Sequence, residues 1–296
     1  MVERRRRRRP LGRVIQSANH TFAQVFRRSL ASGTTPEGWL AIEGPILFDE
    51  ALRAGGYLKP VGQPRTGGAD GAVKIVSVMA TEHGAERFAE ALTRLRKESE
   101  VTLVSERLYN QLSQTESPRG IAALVELPER SLDRAVGRPN ALVVVACGLQ
   151  DPGNLGTLVR SAQALGASAL VTLRRTVSPF NPKAIRSSAG AVLQLPVFTG
   201  AEPASLLQRL RILGLRILAA DRRGSVPVQQ ADLRGALAVL IGQEAAGLDE
   251  DLARQADAHV AIAIRRDTDS LNAATAASIF LYEAARQRGF QFDEPV

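Results

Sequence analysis

The feature that most narrows what this chain can fold into lies in its second half. There, apolar runs follow one another: ALVVVACGL (141–149), SALVTL (168–173), LRILAAD (215–221), LAVLIG (237–242) and AHVAIAI (258–264). The segments between them read as helices. A strand with one face in water alternates apolar and polar residues, whereas a strand that is apolar throughout needs cover on both faces. The pattern therefore predicts a mostly parallel α/β sheet with helices on both sides. In such sheets ligands bind beyond the carboxyl ends of the strands. Three strand ends stand out for their polar sequence: CGLQDPGN, IGQEAAGL and AIRRDTDSLN.

The first half predicts a smaller α/β unit. Residues 14–32 read as one helix with Val25, Phe26 and Leu30 on its apolar side. WLAIEG (39–44), VKIVSVM (73–79), VTLVS (101–105) and IAALVEL (121–127) read as strands. PILFDEALRAG (45–55), with Pro45 in its first turn and Gly55 at its end, reads as a helix. AERFAEALTRLRKE (85–98) has Phe88, Ala91, Leu92 and Leu95 at helical spacing, and ERLYNQLSQ is a shorter helix. The polar stretch 128–140, with two prolines and a glycine, reads as a linker. The expected organisation is a basic, disordered tail (1–13), a first domain (14–127), the linker, and the larger domain (141–290).

Composition removes several classes. The net charge of +8 comes wholly from residues 1–28, which hold nine arginines and the single acid Glu3; the rest of the chain is balanced. A run such as Arg4–Arg9 grips phosphate without sequence preference, or is a solvated extension. One cysteine, Cys147, allows no disulfide within the chain and reads as a small core residue of a reducing compartment. No apolar run nears the roughly 18 residues needed to span a bilayer. The arginine run is followed by Pro10 and polar residues rather than an apolar signal segment, so a cytoplasmic protein is expected. There is no GxGxxG after a strand, no GxxxxGK[ST], no His/Cys cluster with zinc spacing and no GxSxG elbow.

The three strand ends are each ambiguous alone. In DPGNLGTLVRSAQALG, Leu155, Leu158, Val159, Ala162 and Leu165 share one helical face and Arg160 falls opposite. A solvated arginine and a phosphate-gripping one read alike there. Asn154 reads as an N-cap or as a site residue. In GQEAAGLDEDL, Gly242 ends a buried strand, and Glu244 is either a helix-start acid or a functional one. The segment DTDSLNAATAASIFLYEAARQR predicts a helix over about 271–287, with Ser270 or Asp269 as its N-cap and six alanines that let other backbone come close.

Taken in order, these segments resemble the three motifs of the SpoU (TrmH) family of RNA 2′-O-ribose methyltransferases, in the SPOUT class. The match is carried by N-x-G-x-x-x-R-S-A at 154–162, G-x-E-x-x-G-L at 242–248, and S-L-N leading into an L-Y-E helix at 270–283. NPKAIRSSAGAVLQLPV (181–197) is similar to the family's connecting segment. IEGPILFDEALRAG and TESPRGIAALVEL resemble its ribosomal-protein-like RNA-binding domain. The resemblance implies a SPOUT domain with a deep trefoil knot, against the usual rule for chain topology. It implies a homodimer, S-adenosylmethionine as methyl donor, no metal, and RNA as substrate, with ribosomal RNA favoured over transfer RNA. Carried over by motif, Gly242, Ile262 and Leu271 hold the cofactor, while Asn154, Arg160, Glu244, Ser270 and Asn272 form the reaction site. One departure is visible: many members carry Pro-Met-x-Gly after the isoleucine matching Ile262, where this chain has Ala263-Ile264-Arg265-Arg266. A non-catalytic RNA-binding protein and a nucleotide-dependent oxidoreductase are the rival classes. Cofactor binding separates all three.

Overall fold

The computed structural model describes residues 14–58, 71–244, 246–265 and 270–292. The basic tail, Ala245, Arg266 and Asp269 lie outside the described residues. The chain divides into two compact units, the first running to Leu127 and the second from Pro128.

The first unit contains α1 (Thr21–Ser32), β1 (Leu40–Glu43), α2 (Pro45–Ala54), β2 (Lys74–Ala80), α3 (Glu82–Arg87), α4 (Ala89–Leu95), β3 (Glu100–Leu103), α5 (Glu106–Leu112) and β4 (Ile121–Glu126). Its sheet runs β1-β4-β2-β3, with β4 antiparallel to β1 and β2, and β3 parallel to β2. Phe22, Phe26 and Leu30 of α1 share one core with Leu108, Tyr109 and Leu112 of α5 and with Met79, Ala122 and Leu124 of the sheet.

Three expectations change here. The helix expected over 14–32 begins at Thr21, because the ring of His20 accepts from the Phe22 amide and caps it, while Ile15 bridges to Val104. Val25, expected on the apolar side, is exposed, and Phe22 takes the buried place. The helix expected over 85–98 is two helices that break at Phe88, whose ring meets Phe48 edge-on at 4.9 Å between centroids.

The second unit contains α6 (Leu132–Val136), β5 (Leu142–Ala146), α7 (Pro152–Ala164), β6 (Ala169–Leu173), α8 (Pro182–Ser187), a 3₁₀ turn (Ala191–Leu193), β7 (Val197–Ala201), α9 (Pro203–Ile212), β8 (Arg216–Ala220), β9 (Val226–Pro227), β10 (Leu237–Ile241), α10 (Glu250–Ala253), β11 (Ala258–Ala261) and α11 (Ala273–Gln287). The order is β7-β6-β5-β10-β8-β11-β9, and each adjacent pair is parallel. Every residue of β5, β6 and β10 is buried, as continuous apolar runs require. The edge strand β7 is half exposed and was not apparent in the sequence. The stretch expected as a linker holds α6, whose Ala135 and Val136 enter the core of this unit beside Val143, Leu207 and Leu210.

The topology locates a crevice. From β5 the chain builds outward through β6 and β7, then crosses to lay down β8. β10 then inserts between β5 and β8. This reversal of direction is the point where open α/β sheets bind ligands. The fully buried Leu158 anchors α7 over the sheet. Leu158→Ala is expected to destabilise this unit by about 2–5 kcal/mol through the cavity it leaves. A lowered denaturant midpoint in far-ultraviolet circular dichroism would register the loss.

Candidate active site

The loop from β5 to α7 is fixed by short polar contacts. Thr176 Oγ1 donates to the Ala146 carbonyl and accepts from the Gly148 amide, both at 3.0 Å. The N-cap of α7 is Asp151, not Asn154: its Oδ1 accepts from the amides of Gly153 (2.5 Å) and Asn154 (3.1 Å). Pro152 follows at the first helical position, where its missing N–H costs nothing. Lys183 Nζ lies 3.1 Å from Asp151 Oδ2, and its hydrogen bond, with the Asn154 amide, holds this carboxyl below the usual carboxylate range. Asp151 was legible as a helix-start residue before a proline, but Asn154 drew the attention.

With its backbone amide capped, Asn154 turns its side chain to other segments. Its Nδ2 donates to Glu244 Oε1 at 2.5 Å, and its Oδ1 accepts from Asn272 Nδ2 at 2.9 Å. Asn272 Oδ1 in turn accepts from the amides of Ala274 (3.0 Å) and Thr275 (3.2 Å). Asn272 is therefore the N-cap of α11, in place of the expected Ser270 or Asp269. One chain of side chains, Glu244–Asn154–Asn272, joins three distant segments of sequence.

Glycines set the approach of these segments. The turn after β10 closes by reciprocal bonds between Gln243 and Gly247, N to O, at 3.0 and 2.9 Å. A Cβ on Gly242 would lie 2.3 Å from the Gly247 carbonyl carbon, so this glycine is required by the turn folding back on it. Gly156 lacks a side chain because the Ala184 carbonyl oxygen of α8 would be 2.3 Å from it. Ser161 faces α11, where its Oγ meets Ser278 Oγ at 2.8 Å.

An open cavity lies beyond the ends of β8, β10 and β11. Gly242, Glu244, Ile262, Ser270 and Leu271 all line it, together with Asp221 and Phe280, which sequence reasoning did not single out. Its apolar walls, from Ile241, Ile262, Leu271 and Phe280, suit a flat heterocycle, and the half-buried Glu244 supplies a carboxylate. Arg160 stands apart: it is exposed on α7, does not line the cavity, and its side chain has no hydrogen bond or ion pair among the described residues. Arg265 is exposed as well. Cys147 is buried, and burial pushes its thiol up to about 12, which leaves it unreactive. Among the described residues no cluster of His, Cys, Asp or Glu could hold a metal, and no helix is long and apolar enough to cross a membrane.

Comparison with known proteins gives a consistent set. Residues 141–282 match the model of the SpoU rRNA methylase family. The 23S rRNA (uridine(2479)-2′-O)-methyltransferase of Streptomyces viridochromogenes is 33% identical over 207 residues, 68% of this chain and 72% of the relative. The 23S rRNA (guanosine(2553)-2′-O)-methyltransferase RlmP of Bacillus subtilis is 29% identical over 245 residues, 81% and 86% of the two chains. The crystal structure of the SpoU methyltransferase AviRb from S. viridochromogenes, in complex with the cofactor AdoMet, superposes with a TM-score of 0.72 at 26% identity, covering 90% of this chain and 98% of that one. An RNA 2′-O ribose methyltransferase structure gives 0.71 at 29% identity, covering 93% and 99%.

The turn at Gly242 yields a test that needs no ligand. Gly242→Ala must push residues 247 and 248 away from β10 and break the Gln243–Gly247 pair. Amide hydrogen exchange at Gly247 should become markedly faster, with β5 and β6 still protected.

Proposed function

Because this chain belongs to the SpoU rRNA methylase family, we propose that the cavity beyond β8, β10 and β11 is its S-adenosylmethionine site and that the Glu244–Asn154–Asn272 chain is its reaction site. The protein transfers a methyl group from S-adenosylmethionine to a ribose 2′-hydroxyl of ribosomal RNA. The observation that carries the assignment of residues is the side-chain chain itself, which ties Asn154, and through it Asn272, to Glu244 in the cavity wall. The two relatives are named for different nucleotides, a uridine and a guanosine. What they share with this chain therefore concerns the ribose and the methyl donor rather than the base.

Gly242, Ile262 and Leu271 hold the cofactor, largely through backbone groups and apolar contact. Bound S-adenosylmethionine supplies a methyl group already activated by its sulfonium. The protein's task is to align the 2′-hydroxyl behind that methyl and to exclude other geometries. Glu244 and Asn272 keep the Asn154 amide in one orientation. Ser270, exposed at the cavity mouth, is placed to contact the RNA. Arg160 carries a positive charge on a rigid fork of donors. Its role is to orient the nucleotide and stabilise the negative charge that develops on the 2′-oxygen.

Arg160 does that work at the site of a second copy. It leaves its own cavity and faces outward, and in a homodimer it would reach the partner's site. An exposed aromatic group at the end of α11 supports such a contact: Tyr282 and Phe290 stand 5.7 Å apart between centroids, with Phe292 next to them. Exposed apolar clusters of this kind mark interaction surfaces. The first unit, with its ribosomal-protein-like motifs, binds the RNA substrate, and the trefoil knot belongs to the same reading.

The test joins turnover to binding. Arg160→Ala should lower methyl transfer to ribosomal RNA by about 100-fold or more, the scale of a lost charge-stabilising donor. Calorimetric affinity for S-adenosylhomocysteine should stay close to that of the wild type. Sedimentation should report a dimer for both proteins. A large loss of cofactor affinity would place Arg160 in the cofactor pocket instead.

A further inference from the structure

The turn after β8 carries a second acid that the three motifs leave unused. Asp221 follows β8 directly and lines the cavity. Because β8 pairs with β10, Asp221 and Glu244 follow neighbouring strands, and they are the two acids of the cavity wall among the described residues. Glu244 is engaged by the Asn154 amide. Asp221 has a different setting.

That setting is rigid. The Asp221 amide donates to the Val260 carbonyl at 3.0 Å, and the Gly224 amide donates to the Asp221 carbonyl at 2.9 Å, closing a turn. Gly224 has no room for a Cβ, which would lie 2.7 Å from the His259 carbonyl oxygen, so the turn is pressed against β11. Within it, Asp221 Oδ1 accepts from the Arg223 amide at 2.9 Å, and His259 Nδ1 lies 3.1 Å from Oδ2. Burial acts to raise the carboxyl, but the Arg223 amide and His259 outweigh it and hold it below the usual range. The group is thus an oriented, ionised carboxylate, with its side chain still 34% exposed.

Hydrogen-bond accounting gives it a ligand. A carboxylate offers about four acceptor positions and no donor. Two are used, by Arg223 and His259, which leaves two on one fixed group at the cavity wall. Two adjacent hydroxyls are the ligand feature that fills such a pair. An acid in the crevice beyond the strand ends accepts from ribose hydroxyls in dinucleotide-binding sheets for the same geometric reason. We propose that Asp221 recognises the ribose of the cofactor's adenosine, accepting from its 2′ and 3′ hydroxyls, and that His259 is a positioning residue that aims the carboxylate. This inference rests on reading the cavity as the S-adenosylmethionine site. It makes Asp221 the determinant that separates ribonucleoside from deoxyribonucleoside ligands.

The experiment is calorimetric titration of the full-length protein with two probes, S-adenosylhomocysteine and its 2′-deoxy counterpart. Wild type should prefer the ribose form by about 10-fold or more, as expected for a hydrogen bond to a charged group. Asp221→Asn should weaken S-adenosylhomocysteine binding by a similar factor and bring the two probes close to parity. His259→Ala should lower the preference, and His259→Gln, which keeps an N–H donor, should restore much of it. The ratio of the two affinities is the decisive reading, because general loosening of the site would lower both together. An Asp221→Asn protein that keeps the wild-type ratio, or that loses both probes alike, overturns the assignment and leaves the cavity reading intact. A wild-type protein that binds neither probe overturns the cavity reading and this inference with it.

Discussion

The pairing of β5 with β10 is the interaction on which the rest of the second unit depends. Leu142 to Ala146 run in register against Leu237 to Ile241, and the Cys147 amide extends the ladder to the Ile241 carbonyl at 2.8 Å. This pairing inserts a late strand beside an early one. It thereby places the loop that begins α7 next to the turn that carries Glu244. Both strands are buried on both faces, so their backbone groups have no solvent to fall back on and the register is strongly held. The geometry of the proposed reaction site is a consequence of that register more than of any single polar contact.

The polar chain above the strand ends then works at a boundary. Asn154 and Glu244 are half-buried, and Asn272 is exposed. A half-buried amide held at both ends keeps one orientation, whereas a free one would rotate. Asn272 serves two purposes with one side chain: its oxygen caps α11 and its nitrogen holds Asn154. The helix cap and the partner of Asn154 are thus the same group, which couples the start of α11 to the geometry of the proposed reaction site.

Much of this was legible in the sequence. The continuous apolar runs identified the parallel sheet, and Pro45 and Gly55 placed the ends of α2. Gly242, Glu244, Ile262, Ser270 and Leu271 were marked by motif, and each lines the cavity. What was not legible depended on packing between distant segments. The sequence left Asn154 open as an N-cap or a site residue; the Gly153 and Asn154 amides, which donate to Asp151, give the cap to Asp151 and leave the Asn154 side chain to Glu244. The helix break at Phe88 follows from Phe48, forty residues earlier, which no local window contains. The segment 128–140 looked like a linker because its few apolar residues, Leu132, Ala135 and Val136, form a single helical turn among polar neighbours. Asp221 was passed over for a related reason. It stood at the end of a recognised strand, but its importance comes from a turn closed against β11.

The bond from Asn272 to Asn154 spans 118 positions in sequence. During synthesis, α7 and β5 leave the ribosome long before α11 does, and for that interval the polar groups at the strand ends have no lasting partners. Contacts of such long range form late, since loop closure must precede the reward. The proposed reaction site is accordingly assembled among the last parts of the unit. A chain cut short before Asn272 would retain most of the sheet yet lack the group that locks Asn154, so the arrangement of these side chains reports whether the start of α11 has been made.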